Sequence, residues 1–99
     1  VPPLATDLDI DLFLDRNANW SRLGIFLRSE FTAPSFLAAI ELVKSVAVIA
    51  ERMDHHPDID IRWNKVSFAS STHSAGGITS LDCELATAID SVARELSGS

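Results

Sequence analysis

A chain of 99 residues makes one domain, not two, with a modest core that oligomerisation would help. The balance of 46% hydrophobic and 22% charged residues is that of a globular chain, not a disordered one. A formal net charge of −6, with basic residues scattered and forming no run, argues against direct nucleic-acid binding and against an anionic membrane surface.

The start, Val1-Pro2-Pro3, has neither a basic nor an apolar leader region, so no signal peptide is expected. The missing initiator Met suggests processing or trimming. Residues 1–5 read as a loose lead-in. Thr6 to about Asn17 carries two signals. Leu8-Asp9-Ile10-Asp11-Leu12 alternates like a strand. Yet Thr6 and Asp9 have capping-box spacing, Ile10, Phe13 and Leu14 fall on one helical face, and aspartates are poor strand residues. We expect a short helix.

Asn17-Ala18-Asn19 is a turn. Trp20 to Leu23 and Ile25 to Phe31 read as strands around Gly24, with Ile25, Leu27 and Phe31 on one face and Arg28 and Glu30 on the other. Phe26 breaks that alternation. A long helix follows, from about Pro34 to Met53, with Pro34 in its first turn. Phe36, Leu37, Ile40, Val43, Ala47, Ala50 and Met53 form its expected core stripe. The longest apolar-rich run, Phe36 to Ala50, is interrupted by Glu41 and Lys44 and is too short to span a bilayer.

Pro57 ends the helix by forcing His56 toward an extended conformation. Ile59, Ile61 and Trp63 alternate as a strand, Asn64-Lys65 turns, and Val66 to Thr72 returns. Ser74 to Gly77 is a loop. Thr79 with Asp82 opens the last helix, which runs to about Leu96 with Leu81, Leu85, Ile89, Val92 and Leu96 as its stripe. Ser97-Gly98-Ser99 is expected to fray. The order α-β-β-α-β-β-α predicts a single α+β domain over residues 1–99, a four-stranded antiparallel sheet with three helices on one face.

The chemistry concentrates between Glu51 and Asp82, which holds all three histidines, His55, His56 and His73. Imidazole titrates near neutrality, so it gives or takes a proton at low cost. Neighbours on a helix point about 100° apart. Where the helix ends, His55 can stay on its last turn while His56 swings out ahead of Pro57. His73 arrives from the fourth strand, and three rings converge if that strand borders the helix end. Such a pocket suits a reaction that removes one proton and supplies another. Glu51, Asp54, Asp58, Asp60 and Asp82 are candidates to orient the rings or hold one charged.

Plainer readings stand beside these. Surface histidines are usually only solvated. Three could form a zinc site, although the spacing is not the i, i+4 pair of a helical metal motif. Asp82 reads also as a capping-box residue alone, and Glu51 as a solvated charge. Trp63 reads as a packed strand aromatic or as a stacking platform. The single cysteine, Cys83, excludes an intramolecular disulfide, reads as a small half-buried helix residue rather than a reactive thiol, and suits a reducing cytoplasm.

The run Glu51-x-x-x-His55-His56-Pro57, then Trp63, then Thr72-His73, then Gly76-Gly77-x-Thr79-x-x-Asp82 resembles the signature of pterin-4a-carbinolamine dehydratases. Five residues separate Pro57 from Trp63, nine separate Trp63 from His73, and eight separate His73 from Asp82, as in that family. Trp20, Arg28 to Phe31, Phe36 and Val46-Ala47 extend the resemblance over nearly the whole chain. One departure is Leu81, where many members carry a basic residue.

The resemblance implies the α+β fold read above, assembly as a homodimer or homotetramer, and dehydration of a 4a-hydroxytetrahydropterin to quinonoid dihydropterin with no metal or other cofactor. It implies His55 and His73 as the proton-transfer pair, His56 as a catalytic-site residue that mainly binds the pterin, and Glu51, Asp82 and Trp63 as further substrate-site residues. An aromatic amino-acid hydroxylase is an expected partner in the cycle. The alternative, from a different class, is a non-catalytic dimerisation or assembly cofactor for another protein.

Overall fold

Side chains on a strand alternate between its two faces, and here the alternation decides which face of the sheet is dry. The computed structural model describes residues 2–97. Strands β1 (Ser21–Leu23), β2 (Phe26–Thr32), β3 (Asp58–Arg62) and β4 (Lys65–Ser70) form one sheet in the order β1-β2-β4-β3. All neighbours are antiparallel, with Leu27 opposite Ser70, Ser29 opposite Phe68 and Phe31 opposite Val66. That row faces inward. Leu27, Val66 and Phe68 are fully buried with Val46 of α2 (Phe36–Met53) and Leu85 and Ile89 of α3 (Ser80–Leu96). Phe31 meets Phe68 and Trp20 edge-on, at centroid distances of 5.8 and 6.4 Å. Arg28, Glu30, Asp58 and Asp60 fall on the opposite, polar side of the alternation.

Helix α1 (Asp7–Arg16) forms where the sequence carries both signals. The Thr6 hydroxyl accepts from the Asp9 N–H (3.1 Å), and the Asp9 carboxylate accepts from the Thr6 N–H (3.3 Å). This local satisfaction of exposed donors outweighs the strand-like alternation. Ile10 enters the core and Leu8 and Leu12 stay exposed.

Several expectations need correction. The inward row of β2 is Leu27, Ser29 and Phe31; Ile25 keeps that phase but sits in the turn after Gly24 (φ +60°) and is exposed, while Phe26 takes the other face. Helix α2 begins at Phe36, not Pro34. The Ser35 hydroxyl accepts from the Ala38 N–H (3.0 Å), so Ser35 is the cap and Pro34 lies outside. The buried face of α2 is Ala39, Leu42, Val46 and Ala50, flanked by Val43, Ile49 and Met53, whereas Phe36, Leu37, Ile40, Ala47 and Val48 are exposed. That helix is apolar on most sides, so periodicity alone left its rotation open.

The second hairpin turns at Trp63-Asn64, because Arg62 pairs with Lys65. Asn64 donates its side-chain amide to the Ala33 carbonyl (2.9 Å), and its own carbonyl accepts from the Ala33 N–H (2.8 Å). Trp63 is held beside it at φ +54°, exposed. Strand β4 stops at Ser70, short of Thr72. On α3, Leu96 is exposed, and two aspartates, Asp82 and Asp90, are buried instead. The lead-in is tethered: Leu4 bridges to Thr79, and the Ala5 N–H donates to the Ile78 carbonyl (2.8 Å). Of the expected frayed end, Gly98 and Ser99 lie outside the described residues.

Candidate active site

The end of α2 separates the two adjacent histidines. Asp54 caps the helix in the left-handed region (φ 50°, ψ 44°), which a short polar side chain tolerates better than most. The His55 N–H still reaches the Ala50 carbonyl (3.0 Å). After this reversal His55 is buried and His56 is exposed. His56 Nε2 lies 3.5 Å from Glu51 Oε1, and both groups are largely in solvent, so the pair contributes little to stability.

Asp58 at the start of β3 pairs with Ala69 near the end of β4. The α2–β3 junction and the segment after β4 therefore share one end of the sheet. There Thr72 and Gly77 bridge, closing a short loop around a 3-10 turn, His73–Ala75, and Gly76 (φ +77°). Gly77 lets Leu4 pack close, since a Cβ on it would stand 3.0 Å from Leu4 Cδ2 and the leucine tip would have to shift. His73 sits on this loop, exposed.

Asp82 binds this end together. It is fully buried, and its carboxylate meets four groups. Oδ1 lies 2.7 Å from His55 Nε2 and accepts from the Ser70 hydroxyl at 2.5 Å. Oδ2 accepts from the Thr72 hydroxyl at 2.9 Å and from the Thr79 N–H at 2.8 Å. Thr72 spends its hydrogen on Asp82, so the Thr79 hydroxyl, 2.7 Å away, donates to Thr72. The capping box is thus present, and the same carboxylate also holds an imidazole. Cys83, one residue on, has its thiol pKa raised by burial and then by the Asp82 carboxylate, which makes it a poor nucleophile.

Ser70 was not foreseen, and Thr72 stood in the motif without a role of its own. A signal existed: Val66, Phe68 and Ser70 share the inward phase of β4, and a hydroxyl at a core position must find a partner.

Other expected residues are not gathered in the same way. Trp63 lies at the far end of β3, roughly 17 Å along a strand of that length. Two surface hollows, of about 350 and 300 Å³, lie by Phe31, Leu42 and Asp90 and by Leu12 and Thr87, and neither is lined by a histidine. Among the described residues no group of three or more His, Cys, Asp or Glu side chains is placed to hold a metal. No described helix is long and apolar enough to cross a membrane.

The family model described as "Pterin 4 alpha carbinolamine dehydratase" matches residues 3–92. A protein of Nocardia farcinica named "Putative pterin-4-alpha-carbinolamine dehydratase" is 50% identical over 91 residues, covering 92% of this chain and 96% of that protein. The solved structure of a "transcriptional coactivator/pterin dehydratase" from Brucella melitensis superposes with a TM-score of 0.87 at 26% identity, over 91% of this chain and 98% of the other. A "pterin dehydratase-like protein" described as a RuBisCO assembly factor of the alpha-carboxysome shares the fold, with a TM-score of 0.62 at 17% identity over 75% of this chain and 86% of that one. The family match spans nearly the whole length and takes in the His55-His56-Pro57 junction, the His73 loop and the Asp82 cap: the chain belongs to the pterin 4-alpha-carbinolamine dehydratase family.

Proposed function

We propose that the protein is a hydro-lyase that removes water from 4a-hydroxytetrahydropterin to give quinonoid dihydropterin, so recycling the pterin used by aromatic amino-acid hydroxylases. The observation that carries this reading is the buried His55–Asp82 pair set among hydroxyls, at the sheet end that also bears His56 and His73. In the reaction the C4a–O bond breaks and the departing oxygen takes a proton, leaving as water. The N5 lone pair forms the C4a=N5 bond, and N5 gives its proton to a base. One imidazolium and one neutral imidazole supply both transfers. His55 and His73 are the proton-transfer pair, His56 binds and positions the pterin beside Glu51, and Asp82 orients His55. The residues need no metal or prosthetic group for this. Trp63 would reach the same site only from a second copy.

The exposed apolar row of α2, Phe36, Leu37, Ile40 and Val48, supports assembly as a homodimer or homotetramer. The same row favours the second reading, an assembly cofactor that docks another protein. The His55–Asp82 pair weighs for catalysis, because a docking role gives no reason to bury an imidazole against a carboxylate. The chemistry is that of a reducing cytoplasm, which the free Cys83 suits.

Stopped-flow decay of 4a-hydroxytetrahydropterin, with and without protein, tests the reading. Accelerated decay that is lost in His55→Ala supports it. An unaccelerated decay leaves the docking role.

A further inference from the structure

Around Asp82 the hydrogens can be counted. A carboxylate offers about four lone-pair sites. Thr72 and Thr79 fill two on Oδ2, and Ser70 fills one on Oδ1. His55 Nε2 stands at 2.7 Å from Oδ1 and 3.4 Å from Ser70 Oγ. The Ser70 hydrogen is already committed to Asp82. A bare Nε2 would bring a ring lone pair, a carboxylate oxygen and a hydroxyl oxygen together with one hydrogen among them, in a buried site where an unpaired acceptor is costly. A hydrogen on Nε2 resolves this.

The other ring nitrogen differs. Ser71 Oγ is the buried side-chain oxygen or nitrogen left without a partner among the described residues. Nδ1 of His55 has no partner among those residues either, yet it is not fully buried as Ser71 Oγ is, and the residue keeps 8% of its surface exposed.

We infer that His55 exchanges protons through Nδ1, with Nε2–H permanently turned to Asp82, and that Ser70 is the positioning residue that fixes this. The Ser70 hydroxyl fills the second site on Oδ1, keeping the carboxylate oxygen aimed at Nε2 and denying the ring any donor there. Turning the imidazole over would present a C–H to Asp82 and lose the bond. Proton transfer at Nδ1 presupposes the dehydratase reading; the hydrogen on Nε2 does not. As acid, the ring gives the Nδ1 hydrogen to the leaving oxygen and returns to its Nε2–H form. As base, Nδ1 takes the pterin N5 hydrogen and the ring becomes imidazolium.

Long-range ¹H–¹⁵N correlation spectra of the whole, ligand-free protein at mildly alkaline pH report which ring nitrogen carries hydrogen, without any assay. We expect Nε2–H for His55. A neutral Nδ1–H ring would overturn the inference outright. Ser70→Ala should mix the two ring forms and lower kcat roughly ten- to hundredfold with KM nearly unchanged, because Ser70 touches Asp82 and His55 and not the substrate. Ser70→Thr, which keeps the hydroxyl, should restore both. Wild-type kcat together with a wild-type ring spectrum in Ser70→Ala would remove Ser70 from the scheme. An Nε2–H ring in a protein that fails to accelerate dehydration would refute transfer at Nδ1 while supporting the hydrogen on Nε2.

Discussion

Helix α3 buries two aspartates, one in its first turn and one near its middle, and they do different work. Asp90, about two turns beyond Asp82, accepts on Oδ1 from the Asn19 amide (2.8 Å) and the Trp20 indole (3.0 Å). Neither donor gives up a proton under ordinary conditions. Asp90 therefore only ties the turn before β1 to the helix. Asp82 accepts from two hydroxyls and a backbone N–H and faces an imidazole. Burial of a carboxylate does not by itself mark a site; the proton chemistry of its neighbours does.

The largest effect should come from removing the carboxylate at the His55 end of α3. Asp82→Ala leaves the hydroxyls of Ser70 and Thr72, the Thr79 N–H and the His55 ring without their acceptor, and should cost about 3–5 kcal/mol in urea denaturation. A loss no greater than that of Asp90→Ala would break the contrast. Next, His55→Ala and His73→Ala should each cut turnover about 100-fold or more by stopped flow, equivalent to about 2.7 kcal/mol of barrier; near-normal turnover in either would strip that end of its chemical role. Asp90→Ala should cost about 1–3 kcal/mol of stability with turnover unchanged, which sharpens the division. His56→Ala should act mainly on pterin affinity, raising KM several-fold, roughly 1 kcal/mol. Smallest is Trp63→Gly: relief of a left-handed residue should stabilise the hairpin by about 0.5–1 kcal/mol, read as a rise in Tm.

The surroundings of the two aspartates were not equally legible. Element order follows from local signals that the structure honours: the Thr6 and Thr79 caps, the Pro57 stop and the alternation through Ile59 and Val66. Histidine clustering along the chain pointed to the sheet end where the His55–Asp82 pair lies. The groups that set the His55–Asp82 pair, Ser70 at the end of β4 and Thr72 in the loop after it, come from another part of the chain, and no spacing rule links residues across a tertiary fold. The rotation of α2 was hidden because Phe36, Leu37, Ile40 and Val48 offered a second apolar face as good as the one that packs. Trp63 misled because alternation was carried one residue past Arg62, where Asn64 had already bound Ala33. The Asp90 anchor gave no sign, since an acid inside an amphipathic helix normally points to water.

The left-handed cap at Asp54 has a consequence for how such a chain can change. Two identical side chains next to one another acquire unlike surroundings from a single reversal of helical sense, so what matters here is phase and not composition. A one-residue deletion between Ala50 and His55 would bring His56 to the buried position facing Asp82 and put His55 at the exposed cap, whereas a one-residue insertion there would put Asp54 in the buried position and His55 in water, with every side chain of the doublet still present. Divergence at that junction should therefore tolerate substitution far better than any shift in length.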